Sequence, residues 1–401
     1  MGVKRIYLDH AATTYLIPEV IKAMAPYYDK IYGNSSSIYQ EGRKAKYALF
    51  QARKKIANIL NCQPTEIIFT GGGTESCNLA VFGIASALNS RNFKFKPHII
   101  TSQIEHSAVL KPCKKLEKEG FQATYLPVDK EGIIKIPDLE KAIRPETVLI
   151  SIMYANNEIG TIQPIQEIGK LVKKANANRS AQSKIYFHTD ACQAAGFLNL
   201  NVKKLGVDLL TINASKIYGP KGVGLLYLRE NTPLNPIILG GGQENGFRSG
   251  TENLAGILGM VKALELAQRS RIKEGERLKK LRDYLITEIQ KRVPRVILNG
   301  HPQKRLPNNV NVSILDIEGE AAILWLDKYG ICVSTGSACD SQSLEPSHVI
   351  LALGRSYEYA HGSLRFSLGK QNTKKNIDYL LKILPRIVKK LRDISPIKLK
   401  P

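Results

Sequence analysis

Five polar clusters in this chain each follow a short apolar run, and their residue types divide the work of one site between them. The run 66–70 leads into Gly71-Gly72-Gly73-Thr74-Glu75. Glycines at a strand-to-helix turn let backbone N–H groups approach an anion, the helix N-terminus favours negative charge, and Thr74 adds a hydroxyl donor. The Gly-Lys-Ser/Thr ending of a nucleoside-triphosphate loop is missing. The run 97–102 ends in Gln103-Ile104-Glu105-His106, and 147–155 ends in Asn156-Asn157-Glu158-Ile159-Gly160. The run 184–189 leads into Asp190-Ala191-Cys192-Gln193. An aspartate at a buried strand end must be paired or hydrogen-bonded to stay charged. The run 207–213 ends in Asn213-Ala214-Ser215-Lys216. Burial penalises an ammonium, so a lysine there has a lowered pKa and is a candidate for Schiff-base chemistry. Taken singly, each cluster also has a plain structural reading: a turn, a packed histidine, a pair of turn-making amides.

Taken together they place a phosphate cradle, a histidine, an amide, an aspartate and a lysine on one edge of one sheet. That set matches the needs of pyridoxal 5'-phosphate. Its phosphate requires N–H and hydroxyl donors. Its pyridine nitrogen requires a carboxylate that keeps it protonated, so that the ring withdraws electrons. Its phenolic oxygen requires amide donors, its ring a stacking partner, and its aldehyde a lysine.

Holding these residues on one edge requires an α/β sheet. Candidate strands are 66–70, 97–102, 123–128, 147–155, 184–189, 207–213 and 222–228, with helices such as 106–119, 138–143 and 164–177 between them. This alternation predicts a mostly parallel sheet with helices on both faces, binding ligands at the carboxyl ends of its strands. After residue 260 the pattern changes. A charged amphipathic helix spans about 254–292, followed by strands at 296–300 and 308–314, a helix at 319–330, a cysteine-bearing loop, a strand at 364–369 and a closing helix at 373–393. The expected organisation is a large α/β domain over 16–258, with seven strands, and a smaller α+β domain formed by 1–15 and 259–401.

The 401 residues are enough for two domains, and 43% hydrophobic with 23% charged residues is ordinary for a soluble protein. No run of about 18 apolar residues occurs, and the N-terminus has no apolar signal core, so the expectation is a cytoplasmic chain without membrane spans. Lys and Arg number 58 against 35 Asp and Glu, a net charge of +23 that favours acidic partners. Much of it lies on expected helix faces such as 269–292, and no aromatic-interleaved RNA motif accompanies it, so direct nucleic-acid binding is not expected. The six cysteines form no CxxC pair and no zinc spacing with histidine. Reduced thiols and no resident metal follow.

The ordered motifs Gly73-Thr74-Glu75, Glu105-His106, Asn156-Asn157-Glu158-Ile159-Gly160, Asp190-Ala191-Cys192-Gln193, Lys216-Ile217-Tyr218-Gly219-Pro220-Lys221-Gly222, Arg248-Ser249-Gly250-Thr251, Ser334-Thr335-Gly336-Ser337-Ala338-Cys339 and Arg365-Phe366-Ser367-Leu368-Gly369 strongly resemble the cysteine desulfurases of the IscS/NifS type, in the class V aminotransferase group. The resemblance runs from Tyr7-Leu8-Asp9 to about Leu391-Arg392-Asp393. It implies a fold type I pyridoxal-phosphate transferase that converts L-cysteine to L-alanine and leaves the sulfur as a persulfide on Cys339. The sulfur would pass to acceptor proteins, such as an iron–sulfur scaffold or a tRNA-thiolation enzyme. By the same resemblance, Lys216 holds the cofactor and moves protons at the substrate's α-carbon. His106 stacks on the ring, Asp190 pairs with the pyridinium nitrogen, and Asn157 and Gln193 bond the phenolic oxygen side. Gly73, Thr74, Asn213 and Ser215 hold the phosphate, with Thr251 reaching in from the other subunit of a homodimer. Arg365 clamps the substrate carboxylate through its planar fork, assisted by Asn34. Cys339 attacks the substrate sulfur and can transiently ligate a cluster.

Cys339 sits in a Ser/Thr/Gly/Ala loop away from any apolar strand, and a free thiol of pKa about 8.5 has some thiolate near neutrality. By contrast, Cys332 reads as a buried structural thiol and Cys192 as packing. The chain departs from the family pattern in having Asn213-Ala214-Ser215-Lys216 where Ser-x-His-Lys is common, and Asp340 where a hydroxyl is common. A related class V aminotransferase or a selenocysteine lyase would turn over without Cys339 or would require an amino acceptor. A basic scaffold that kept the fold would bind no cofactor.

Overall fold

The computed structural model describes residues 5–89, 96–180, 183–336 and 346–394. The chain opens with a short strand, β1 (Ile6–Tyr7), and then builds its main sheet from β2 (Ile67–Thr70), β3 (His98–Ser102), β4 (Gln122–Leu126), β5 (Thr147–Ser151), β6 (Tyr186–Asp190), β7 (Leu209–Asn213) and β8 (Gly224–Leu228). The order across this seven-stranded sheet is β2-β8-β7-β6-β5-β3-β4. β8 runs antiparallel to both its neighbours, and the remaining pairings are parallel. This is the mostly parallel α/β sheet expected from the alternation of apolar runs and helices.

β2, β3, β5, β6 and β8 are buried along their whole length, because helices cover both faces. That is why they read as continuous apolar runs rather than alternating ones. Successive residues still part to opposite faces. Ile100, Ile150, Phe187 and Leu210 join one core, while Ile99, Leu149, Tyr186 and Leu209 join the other. The run 147–155 overshoots β5. Ile152–Ala155 stay buried, and Ile152 and Tyr154 still donate to the carbonyls of His188 and Asp190, but the chain bends out of the ladder.

A second sheet of order β12-β10-β9 is antiparallel, built from β9 (Val296–Leu298), β10 (Asn309–Ile314) and β12 (Ser363–Ser367). The short β11 (Ile331–Cys332) pairs in parallel with β1. The helix Leu254–Arg292 spans both cores: Ile257, Met260 and Leu264 pack with the main sheet, and Leu278, Leu285 and Ile289 with the second. The closing helix Lys374–Ile394 buries Ile377, Leu380, Leu384, Ile387 and Leu391 in that second core, the three-and-four spacing of an amphipathic stripe.

The N-terminal segment ties the two sheets together. The Ser367 N–H donates to the Leu8 carbonyl (2.7 Å), and a few residues later the Thr14 N–H donates to the Ser215 carbonyl (2.8 Å). Residues 8–14 therefore cross from the edge of the second sheet to the end of β7. Among the described residues, no helix is long and apolar enough to cross a membrane.

Candidate active site

Where the carboxyl ends of the main sheet meet β12, a cavity of about 200 Å³ is lined by Gly73, Thr74, His106, Asn157, Asp190, Gln193, Asn213, Lys216 and Arg365. A larger groove of about 810 Å³ lies at the opposite ends of β6–β8, beside Lys184, Asp208 and Arg229. Its buried carboxylate is already occupied: Asp208 Oδ2 accepts from the Phe187 N–H (2.9 Å), and Oδ1 pairs with Arg229 (3.0 Å). Volume alone therefore does not mark the site; the convergence of chemically distinct groups does.

Lys216 closes a single 3₁₀ turn, Ala214–Lys216, that follows β7. Asn213 caps the turn, its Oδ1 accepting from both the N–H and the hydroxyl of Ser215 (3.2 Å each). The Ser215 carbonyl takes the Thr14 N–H (2.8 Å) and the Thr14 hydroxyl (2.9 Å). With its backbone fixed in this way, Lys216 extends into the cavity and its ammonium donates to the Ala12 carbonyl. Ser215 itself lies outside the cavity lining, whereas Asn213 is part of it.

Asp190 ends β6 and is nearly buried, with Oδ1 accepting from the Cys192 N–H (2.9 Å). Its thiol neighbours Cys77 and Cys192 are held well above their ordinary pKa, first by burial and then by the Asp190 charge. They stay protonated and do not compete as thiolates. Cys192 lines the cavity as well as packing.

His106 is the N-cap of the helix Ser107–Lys118, its Nδ1 accepting from the Ala108 N–H (3.0 Å). That bond leaves the ring proton on Nε2 and fixes the plane of the imidazole against the cavity. Beside it, burial pushes Glu105 up to about 8. Its Oε1 accepts from the Ser102 hydroxyl (2.7 Å) and the Met153 N–H (2.9 Å), joining the ends of β3 and β5.

Gly73 begins the helix Gly73–Asn89, and a Cβ there would come 2.8 Å from Cys192 Sγ. Only glycine lets that helix N-terminus sit so close to the Asp190-Ala191-Cys192 turn. The preceding loop is braced by Glu75, which accepts from the Gly71 N–H (2.9 Å) and pairs with Arg248 (2.9 Å).

Arg365 reaches the cavity from β12. Its Nη1 donates to the Asn157 carbonyl and its Nη2 to Asp9 Oδ1, both at 2.9 Å, while its buried Nε has no partner. One proton of each terminal nitrogen and the Nε–H are thus left for a ligand. Asp9, which holds one arm of the Arg365 fork, is a residue to which the sequence reading gave no role. Its signal, a polar residue directly after the apolar run Ile6-Tyr7-Leu8, matches the other clusters but follows only three apolar residues. Gln193 turns its amide to the Ala11 carbonyl (3.0 Å) at the cavity wall.

Asn34 and Thr251 lie outside this chain's own cavity lining. Asn34 is exposed, with Oδ1 accepting from the Ser36 N–H (2.9 Å). Thr251 is exposed and lines a cleft of about 90 Å³ beside Gly71 and Arg248. Their loops are joined by the Ser35 hydroxyl donating to Glu252 (2.8 Å). Cys339 and Asp340 lie outside the described residues. Cys332, read as a buried thiol, is only half-buried and accepts from Arg5 (3.2 Å).

The donor set fits pyridoxal phosphate. A lysine ammonium, a nearly buried carboxylate and a capped imidazole face a helix N-terminus that a Cβ would obstruct, and a guanidinium with unspent protons stands opposite.

Residues 6–380 match the model of the family described as aminotransferase class-V. The chain is 54% identical over 395 residues to a protein of Dictyoglomus turgidum named cysteine desulfurase IscS, covering 98% of this chain and 97% of that one. It is 51% identical to the cysteine desulfurase IscS of Methanosarcina thermophila, with 98% and 94% covered. Among solved structures it is similar to a NifS-like protein, with a TM-score of 0.86 at 37% identity, covering 97% of this chain and 99% of the other. A structure described as SspA in complex with cysteine matches with a TM-score of 0.76 at 36% identity, covering 90% and 98%.

Proposed function

The chain belongs to the aminotransferase class-V family and to its cysteine desulfurases, and we propose that the cavity between Lys216 and Arg365 is where it takes sulfur from L-cysteine. The observation that carries the reading is the convergence of Lys216 from the main sheet and Arg365 from β12 on one cavity of about 200 Å³. Pyridoxal 5'-phosphate, held by Lys216, supplies the electron sink that acidifies the substrate's α-carbon and weakens its Cβ–S bond.

The chain's own residues do the rest. The unspent N–H groups of Arg365 bind the substrate carboxylate, and Asp9 and the Asn157 carbonyl fix the plane of its fork. Asp190 would pair with the cofactor's ring nitrogen, and the buried thiols of Cys77 and Cys192 beside it stay protonated. His106 would stack on the ring, its plane held by the bond that its Nδ1 accepts from the Ala108 N–H. The helix N-terminus at Gly73 and Thr74, with the Asn213 amide, receives the phosphate. The Lys216 amine, which reaches into the cavity, would move a proton at the α-carbon. The Cys339 thiolate attacks the substrate sulfur: the Cβ–S bond breaks, an S–S bond forms, and Cβ gains a proton. L-Cysteine and a thiol become L-alanine and a persulfide.

Thr251, outside its own chain's cavity, would complete the partner's phosphate site in a homodimer. Support for a partner comes from the large side chains exposed together with its loop and that of Asn34: Tyr28 (68%), Tyr32 (70%), Ile38 (88%), Tyr47 (66%) and Leu239 (81%). We take 16–258 as the cofactor domain, and 1–15 with 259–401 as the domain that brings Arg365 and Cys339. The persulfide sulfur would pass to a protein acceptor, an iron–sulfur scaffold or a tRNA-thiolation enzyme, in the cytoplasm.

The test uses Cys339→Ser and Lys216→Ala. Cys339→Ser retains the visible absorbance of the bound cofactor and its response to L-cysteine but releases no sulfide in the presence of a reductant. Normal sulfide release from that variant rules the mechanism out. Lys216→Ala loses both turnover and the protein-linked absorbance.

A further inference from the structure

The reaction proposed above requires the Cys339 thiol to meet a substrate held at Arg365, and the present inference rests on that reading. Gly336 and Ser347, both described, flank the segment that carries Cys339. We propose that Glu158 is the positioning residue that fixes both flanks of this segment to the turn presenting Asn157 and Arg365 to the substrate.

The Glu158 carboxylate is buried, 4% exposed, and accepts a hydrogen bond from the Ser347 hydroxyl. Gly336 packs against the same oxygen so closely that a Cβ on it would overlap Oε2. One carboxylate oxygen therefore touches the last described residue before the segment and a residue just after it. The turn carrying Glu158 is itself rigid. Its N–H donates to Asn156 Oδ1 (2.8 Å), and its carbonyl accepts from the Asn309 amide (3.0 Å) and the Asn311 amide (3.2 Å) of β10. The adjacent Asn157 carbonyl accepts from Arg365.

The chain beyond each flank is docked on the same frame. Upstream, the Arg365 N–H donates to the Ser334 carbonyl (2.7 Å). Downstream, Val349 and Ile350 pack with Ile104, Met153 and Ile159. Burying a carboxylate is costly unless it is hydrogen-bonded, and a filler side chain would hold the turn as well. What the carboxylate adds is a common anchor. Burial raises it to about 7, against the Ser347 hydroxyl bond and then the Arg365 charge, which both favour the carboxylate. With both flanks fixed to the turn that carries Asn157, the points where the chain enters and leaves the Cys339 segment are set relative to Arg365.

Glu158→Ala removes the anchor, and Glu158→Gln keeps an acceptor of the same shape. Ser347→Ala removes the partner. It also uncaps the helix His348–Ala352, where Ser347 Oγ accepts from the Ile350 N–H (3.2 Å); Ser347→Thr keeps both functions. Two rates are followed: persulfide formation on Cys339 from L-cysteine, and peptide-resolved alkylation of Cys339 by iodoacetamide in protein without substrate.

In Glu158→Ala, L-cysteine still elicits the cofactor's absorbance change. Persulfide formation slows by about tenfold to a hundredfold, the range of a misplaced reacting group, and alkylation becomes several-fold faster. Glu158→Gln and Ser347→Thr recover most of the wild-type values. The loss in the double variant Glu158→Ala/Ser347→Ala falls short of the sum of the two single losses, as expected for two ends of one contact. Wild-type rates in both assays, or additive losses in the double variant, overturn the inference. If Glu158→Ala does not fold, Ser347→Ala against Ser347→Thr carries the same comparison. If wild-type protein forms no persulfide on Cys339, the proposed function fails, while the alkylation rates still decide the role of Glu158.

Discussion

Replacing Arg365 by lysine isolates what a planar fork contributes to substrate binding. In the native site Nη1 is committed to the Asn157 carbonyl and Nη2 to Asp9, each at 2.9 Å. This leaves one proton on each terminal nitrogen and the Nε–H for a carboxylate, enough for a two-point clamp. A lysine ammonium has three protons. If it reaches both Asp9 and the Asn157 carbonyl, one proton remains, and the second bond to the substrate is lost. A charge-assisted hydrogen bond contributes about 1.5–3 kcal/mol, so kcat/KM for L-cysteine should fall by about tenfold to a hundredfold. The loss should reside mainly in KM, because the bond is made in ground and transition states alike. Steady-state alanine formation measures it, and titration of the cofactor's absorbance with L-cysteine gives the affinity independently. Unchanged kcat/KM in a variant that melts like the wild type would refute the clamp. So would a loss confined to kcat.

Gly73→Ala places a methyl group 2.8 Å from where Cys192 Sγ now sits. Cofactor retention through gel filtration should drop, and Cys192→Ala should restore it by making room; retention unaffected by Gly73→Ala argues against the cradle. His188, buried between Ser151 (2.8 Å) and Thr211 (3.0 Å), is pushed down to about 4 by burial. A depressed histidine contributes stability that is present above its unfolded pKa of about 6.5 and is lost as pH falls toward 4. Urea denaturation should therefore show the advantage of wild type over His188→Gln shrinking by ~2 kcal/mol between pH 7 and pH 5. Glu105, pushed up to about 8 by burial, carries the opposite sign: its contribution is present below about pH 4.5 and declines as pH rises toward 8. The advantage of wild type over Glu105→Gln should grow by a similar amount over the same change from pH 7 to pH 5. If the proposed homodimer uses this face, Ile38→Asp combined with Leu239→Asp should yield a monomer in light scattering and weaken cofactor retention through loss of Thr251; an unaltered dimer would place the interface elsewhere.

The main sheet was legible because most of its strands are buried along their whole length and their apolar runs stop where polar clusters begin. Lys216 and Asp190 stood out as charged residues at or just beyond the ends of those strands. The reading overshot at β5, because Ile152–Ala155 remain buried after leaving the ladder and burial, not pairing, is what an apolar run reports. Asp9 escaped because its partner Arg365 lies 356 residues away and no local period links the two. Ser215 and Asn213 could be placed near the lysine but not assigned a direction. Only the folded turn shows the serine hydroxyl spent on Asn213. The anchoring by Glu158 had no local signature, since Gly336 and Ser347 approach it through tertiary packing alone.

The most direct test of the account follows sulfur-labelled L-cysteine into the protein in the absence of reductant, with peptide mapping and a parallel count of alanine. The account predicts one alanine for each labelled sulfur bound, all of it on Cys339 and none in Cys339→Ser. Label on another cysteine, or alanine formed without protein-bound sulfur, contradicts it.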